Sequence, residues 1–302
     1  MSVLEQLAAR QFLVVTGKGG VGKTVVAALL GRVLASEGRR VLLLEVDPRA
    51  NLHELAGTAP SGGDVVPVGP NLFLQNLKPQ QVMAEVVRDQ VRIEVLVRRV
   101  TASPIFTHFV DAAPGLKEVA ILGHAWRALH GHGHVAKLRI DTVVLDAPAT
   151  GHGVSLLTAP VVVSGVVEQG PFGQMAGELA GFIGDPRRSA IVTVTLAEEM
   201  PVQEALELRA ALESRIRRTP DLLVVNGLYP PVPAERRADV APGPDLWQRR
   251  RAINERELAR LAREWRGPRV LLPLLPVNRG PELVSALTPQ FAGALAGEEV
   301  GV

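Results

Sequence analysis

Short apolar runs alternate with helical patterns along the chain. Two runs, Gln11–Thr16 and Val41–Val46, are separated by Thr24–Gly38, which carries apolar residues at helical spacing. Uninterrupted apolar runs of this length are typical of strands buried on both faces of a parallel sheet. Four more runs predict strands and two more patterns predict helices: Asp141–Leu145, Ala190–Leu196, Leu222–Asn226 and Arg269–Leu272, then Pro201–Arg218 and Asp245–Trp265. This order predicts a doubly wound, mostly parallel α/β sheet flanked by helices.

The stretch from Lys78 to Leu138 interrupts the alternation. Its pattern is helical over about 60 residues, including Gln80–Val100 and Gly115–Leu129, with two prolines as breaks. We interpret residues 78–138 as a helical insertion in a single domain that spans residues 1–302. The proline-rich stretch Tyr229–Pro244 predicts a surface loop.

The amino-acid composition excludes several classes of function. The chain has 302 residues, 47% of them apolar, which is enough for a large core and excludes disorder. The formal charge is only +2, so no strong field attracts nucleic acid or an anionic membrane. The absence of cysteine excludes disulfides, thiolate nucleophiles and Cys-ligated zinc or iron–sulfur clusters. No apolar run or leader indicates membrane insertion or export, so we predict a cytoplasmic protein.

A glycine-rich loop follows the first predicted strand. Its sequence, GKGGVGKT, has glycine, four residues and then Gly-Lys-Thr, and a helix follows. Glycines let backbone N–H groups converge on phosphate oxygens, and the helix adds partial positive charge. We predict ATP here, with Lys23 on the β- and γ-phosphates and Thr24 on Mg²⁺. The predicted nucleotide-binding residues of this loop are Gly17, Lys18, Gly19, Gly20, Val21, Gly22, Lys23, Thr24 and Val25.

Two carboxylates follow apolar runs. Asp47 follows the second predicted strand, and Asp146 follows the third, so both lie at the sheet edge where phosphates are expected. We predict that Asp47 orients or deprotonates the attacking water and that Asp146 holds Mg²⁺ through water. A cap on the helix that begins near Asn51 is a second, compatible role for Asp47. The predicted metal ligands are Thr24, Asp47 and Asp146, and the predicted catalytic residues are Asp47, Lys18 and Lys23.

Two motifs resemble a known family. GKGGVGKT resembles the deviant Walker A phosphate loop shared by chromosome-positioning and cell-division ATPases, nitrogenase reductase, the arsenite-pump ATPase and the tail-anchored-protein-targeting ATPases. DAPATGH, at 146–152, is similar to the second switch of the arsenite-pump and tail-anchored-targeting branch. The resemblance runs from Phe12 to about Leu287. It implies a P-loop ATPase that works with Mg²⁺.

The resemblance also implies partners and further site residues. In the family, the lysine that corresponds to Lys18 contacts phosphate across a dimer interface, which implies a homodimer or a heterodimer with a related ATPase. The family's switch loops couple hydrolysis to a protein client or partner. Asn226 resembles its adenine-contacting asparagine, and Pro273 lies in a stretch that resembles its adenine-side loop.

The sequence does not determine the identity of the client. Arsenite-stimulated members bind the metalloid through cysteines, and eukaryotic targeting members close their dimer with zinc on a CxxC pair, so neither arsenite nor zinc is expected here. Only one methionine, Met83, lies in the insertion, and arginines interleave Gln80–Val100, which favours a solvated basic face over an apolar client groove. For His124 and His130–His134, a helix-end loop is favoured over a metal site.

Two other functions compete with this interpretation. A spatial regulator that acts on DNA or membrane is disfavoured by DAPATGH and by the near-neutral charge, so nucleic acid is not an expected partner. A regulatory subunit of a hetero-oligomeric ATPase is disfavoured by the intact Asp47.

Overall fold

A computed structural model describes residues 1–47, 49–78, 81–85, 103, 115–148, 152–167, 171–231 and 246–298. Its eight strands are β1 (Phe12–Gly17), β2 (Val41–Glu45), β3 (Val66–Gly69), β4 (Leu72–Asn76), β5 (Thr142–Asp146), β6 (Ser189–Leu196), β7 (Leu222–Leu228) and β8 (Arg269–Pro273). They form one sheet in the order β3-β4-β2-β5-β1-β6-β7-β8. Only β3 is antiparallel to its neighbour. The predicted α/β sheet is therefore confirmed.

Nine described helices connect or flank the strands. They are α1 (Val3–Ala8), α2 (Lys23–Ser36), α3 (Asn51–Ala56), α4 (Leu116–Leu129), α5 (His152–Val166), α6 (Pro171–Gly184), α7 (Glu199–Ile216), α8 (Leu246–Glu264) and α9 (Pro281–Ala296). A 3₁₀ helix covers Gly133–Leu138, and residues 81–85 are also helical. Gly38 ends the α2 segment with φ +82° and Gly115 precedes α4 with φ +83°, conformations that glycine adopts readily.

Alternate residues of the strands enter two cores on opposite faces of the sheet. On β1, Phe12 and Val14 pack with α4, α5 and α6, whereas Leu13 and Val15 pack with α1, α2, α3 and α9. A smaller cluster around Trp265 joins α7 and α8 to β7. Burial on both faces explains the uninterrupted apolar runs of the central strands.

Two parts of the fold differ from the predictions. The β3–β4 hairpin was not predicted, and it makes Asp146 the end of the fifth strand instead of the third. Helices α5, α6 and α9 were also not predicted. In the proposed insertion 78–138 the described parts are helical, but most of 80–100 lies outside the described residues, as does most of the predicted loop 229–244. Among the described helices, none has the length and apolar character needed to cross a bilayer.

Candidate nucleotide and magnesium site

The glycine-rich loop joins β1 to α2 at the carboxyl edge of the sheet. Gly17 and Gly22 have φ of +145° and +92°, and a Cβ atom would lie 2.2 Å from the Val194 carbonyl oxygen or from the Asn226 Nδ2, respectively. Both positions therefore require glycine. The α2 N-terminus has no side-chain cap and no acidic residue in its first turn, so its amides and partial positive charge favour an anion.

Lys23 is the buried cation of this loop. Its side chain is in the first turn of α2, only 6% of the residue is exposed, and Nζ donates a hydrogen bond to the Lys18 carbonyl oxygen at 2.9 Å. Burial lowers the pKa of Lys23, and the nearby Asp146 opposes this effect. An incompletely solvated ammonium group at the start of the helix is well suited to pair with phosphate.

Asp146 and Thr24 lie together beside Lys23. Asp146 ends β5, in register with Val15 on one side and Glu45 on the other. Burial raises the pKa of Asp146 to about 6, and a hydrogen bond from Thr24 and the charge of Lys23 act in the opposite direction. The Asp146 Oδ1 atom is buried without a hydrogen-bond partner. A carboxylate oxygen without a donor beside a hydroxyl is a donor set that suits Mg²⁺, so these residues fit the predicted ion.

Asp47 occupies the turn before α3. Its Oδ1 accepts from the Arg49 backbone N–H at 2.7 Å, and its Oδ2 accepts from the Asn51 side-chain amide at 2.9 Å. The helix cap is instead Ala50, at φ +51°, and it forms no side-chain cap, so the predicted capping role of Asp47 is wrong. The charge of Asp47 raises the pKa of Asp146, which shows that the two predicted metal-site carboxylates interact.

Glu45 is a third carboxylate, which our sequence interpretation missed. It is 1% exposed; Oε1 accepts from the Leu52 N–H at 3.0 Å, and Oε2 has no donor and lies 4.0 Å from His53 Nδ1. Burial, followed by the charges of Asp146 and Asp47, raises the pKa of Glu45 to about 7. An acidic residue at the end of the apolar run VLLLE was the available sequence signal.

Lys18 pairs with a residue of α7. Its Nζ lies 2.7 Å from Glu204 Oε1, and about one third of each side chain is exposed. Glu204 is 186 positions away in the sequence, and no motif indicated it. Lys18 is therefore held within its own chain by a half-exposed ion pair.

The adenine-side predictions lie on β7 and β8. Asn226 is near the end of β7, and its amide donates to the Val21 carbonyl oxygen at 2.9 Å. Pro273 ends β8, in register with Leu228 of β7. The structure thus brings Asn226 to the glycine-rich loop and puts Pro273 on the neighbouring strand. Their contacts with adenine stay predictions.

The family can now be stated. A protein-family model described as anion-transporting ATPase matches residues 10–181, which is more than half of the chain and includes the glycine-rich loop and both acidic strand ends. The chain belongs to the anion-transporting ATPase family. This match confirms the resemblance drawn from GKGGVGKT and DAPATGH.

Three curated relatives show the range of the family. An arsenical pump-driving ATPase of Acidiphilium multivorum is 28% identical over 256 residues, which cover 79% of this chain and 42% of that protein. ATPase BagA of Mycobacterium tuberculosis is 31% identical over 208 residues, covering 64% and 58%. ATPase ASNA1 homolog 2 of Paramecium tetraurelia is 22% identical over 156 residues, covering 51% and 45%. The chain matches about half the length of each relative.

The remaining predictions for this member of the anion-transporting ATPase family concern the second switch and the histidines. Residues 149–151 of the second switch lie outside the described residues. His124 is buried and hydrogen-bonds to Glu85 at 3.0 Å, whereas His130 stacks on Trp126 at 4.1 Å and donates to its carbonyl oxygen at 2.7 Å. Across the described residues, no group of three or more His, Asp or Glu is placed to hold a metal ion.

Proposed function

We propose that this chain binds ATP with Mg²⁺ and hydrolyses it. The observation that carries the proposal is the convergence of the buried Lys23, Thr24 and the unpartnered Asp146 oxygen at the start of α2. Thr24 and Asp146 would hold Mg²⁺, and Lys23 would pair with the β- and γ-phosphates. The ion supplies positive charge for the phosphate oxygens during transfer.

The charge around Asp146 supports a role for a divalent cation held by Thr24 and Asp146. The charge of Asp47 raises the pKa of both Glu45 and Asp146, so negative charge accumulates at this sheet edge. A dication relieves that repulsion. Asp47 would orient or deprotonate the attacking water, and its hydrogen bonds from Arg49 and Asn51 would hold the carboxylate in one orientation. Lys18 would add a second cation for the transferred phosphoryl group.

The active form would be a dimer that drives a protein client or partner. The family resemblance assigns Lys18 to the phosphates across a dimer interface, with either a second copy or a related ATPase as the other subunit. A protein client is supported by the apolar surface of α5, the helix that follows the second switch: Val162 and Val166 are 56% and 79% exposed. Arsenite is not the proposed client, because the chain has no thiols.

The test is to measure phosphate release from ATP by the purified chain, with and without Mg²⁺, and its mass by light scattering with a non-hydrolysable ATP analogue. We expect metal-dependent release and a doubling of mass with the analogue. Release that persists in EDTA would contradict the proposed metal site, and a monomer under every nucleotide condition would contradict the homodimer. No turnover without a second family member would favour the regulatory subunit, and salt-sensitive DNA retention with ATP would favour the spatial regulator.

Replacing Glu204 with glutamine should favour the dimer. The change removes the negative partner of Lys18 and frees the ammonium group for the opposite subunit. A half-exposed ion pair contributes less than about 1 kcal/mol, so we expect the dimer dissociation constant with the ATP analogue to fall about 2- to 5-fold. Glu207→Gln, at an exposed residue about one turn further along the same helix, is the matched control. An unchanged dissociation constant in Glu204→Gln would refute this role.

A further inference from the structure

A cavity of about 630 Å³ lies on the β4 side of the sheet, away from the glycine-rich loop. The β3–β4 hairpin, residues 81–85, α4 and the 3₁₀ helix contribute its described walls. Leu77, Val82 and Leu138 supply apolar surface. A volume in this range, with apolar walls and a few fixed polar groups, is typical of small-molecule sites.

A chain of hydrogen bonds fixes the polar wall of the cavity. Gln75 donates through Nε2 to the Gly63 carbonyl oxygen at 2.9 Å, so its Oε1 faces His124 Nε2, also at 2.9 Å, and accepts from it. His124 Nδ1 lies 3.0 Å from Glu85 Oε2. Arg127 donates to the same Glu85 oxygen at 3.3 Å. The Glu85 carboxylate is therefore contacted by both the imidazole of His124 and the guanidinium group of Arg127.

Two lysines add positive charge to the same lining. Lys78 and Lys137 are exposed at the cavity, and within the described part of the chain neither has an ion-pair partner. The acidic residues of the described lining are Asp64 and Glu85, and Glu85 is contacted by His124 and Arg127. The chain has only five lysines, so two of them at one cavity is a concentration of compact ammonium groups. We propose that this cavity binds a small organic anion, with its carboxylate or phosphate group near the lysines and an apolar body against Leu77 and Val82.

The cavity is connected to the turn that carries Asp47 through β4. Gln75 and Leu77 line the cavity, whereas Asn76 between them points the other way and donates to the Asp47 carbonyl oxygen at 2.7 Å. The Leu77 N–H donates to the Glu45 carbonyl oxygen, also at 2.7 Å. An anion that orders residues 75–77 would also order the backbone that carries Asp47. Binding itself does not depend on the proposed ATPase activity, and only this regulatory consequence rests on it.

The test is calorimetric titration of the full chain with three probes that share one ring: phenyl phosphate, benzoate and the uncharged benzyl alcohol. Titrations are run without nucleotide and again with saturating ADP and Mg²⁺, which occupy the glycine-rich loop. We expect both anions to bind in both conditions, and benzyl alcohol to bind at least about 10-fold more weakly. The anion that binds more tightly shows whether a phosphate or a carboxylate group fits the cavity better.

The double variant Lys78→Ala/Lys137→Ala locates the binding. Both side chains are exposed, so the fold should persist, and the affinity for the anions should fall about 10-fold with the alcohol unchanged. Lys117→Ala, which removes a lysine from α4 outside the described lining, should bind as the wild type does. No anion binding at millimolar concentration, equal affinity for the alcohol, or wild-type affinity in the double variant would each overturn the proposal.

Discussion

Asp47→Asn should leave ATP binding intact and slow phosphate release at least about 100-fold. An amide cannot accept the proton of the attacking water, and it presents one acceptor oxygen instead of two. Because the hydrogen bonds from Arg49 and Asn51 are made to separate Asp47 oxygens, the substitution keeps one of them and perturbs the other. The loss should therefore appear in kcat, with little change in the nucleotide dissociation constant.

Single-turnover phosphate release and nucleotide titration separate these two quantities. Asp185→Asn is the matched control: it makes the same chemical change in an exposed turn before β6, at the opposite edge of the sheet, and should turn over as the wild type does. Equal turnover in Asp47→Asn and the wild type would remove Asp47 from the proposed mechanism. A loss of nucleotide affinity that accounts for the whole effect would assign Asp47 to binding instead.

The central strands were predictable because they are buried on both faces. The predicted strands that became β1, β5, β6 and β7 lie within about two residues of the observed bounds, since double burial leaves an uninterrupted apolar run with clear ends. The β3–β4 hairpin is different. Val66–Gly69 has only four residues and alternates between half-buried and exposed positions at the sheet edge, so its sequence pattern is weak.

Helices α5 and α6 were missed because their sequences lack the usual signals of a helix. The sequence of α5, HGVSLLTAPVVVSGV, is apolar on most sides and contains Pro160, so it lacks the apolar stripe opposite a polar face by which a helix is recognised in a sequence. The sequence of α6, PFGQMAGELAGFIG, contains four glycines, which weaken its helical signal. The place of both helices beside α4 depends on tertiary packing.

In the candidate site, residues placed by local sequence were predicted, whereas contacts between residues far apart in the sequence were not. The glycines, Lys23 and Asp146 were predicted because local spacing and strand ends determine their positions. The pairing of Lys18 with Glu204 joins residues 186 positions apart, and the bond from Asn226 to the loop spans 205 positions. Such contacts follow from the order of β1, β6 and β7 in the sheet, which the sequence pattern does not specify.

Asp146→Asn should stabilise the nucleotide-free protein by ~1–3 kcal/mol at pH 8 and reduce Mg²⁺-dependent turnover at least about 100-fold. Folding raises the pKa of Asp146 from 3.8 to about 6, chiefly through burial, so the folded state favours the protonated form. That stabilising contribution is complete below about pH 4 and is lost as the pH rises through 6. Asparagine is neutral throughout, so the variant avoids the loss.

The pH dependence distinguishes this cause from a general improvement in packing. Urea unfolding should show about half of the gain at pH 5 and the full gain at pH 8. Asp185→Asn should show no gain, because hydrogen bonds from Arg187 hold the pKa of Asp185 below its usual value. A gain independent of pH would contradict burial of a charged Asp146. Turnover that keeps its Mg²⁺ dependence in Asp146→Asn would exclude Asp146 as a ligand. Loss of that dependence, with Asp47→Asn still binding Mg²⁺ and ATP, would assign metal binding to Asp146 and positioning of the water to Asp47.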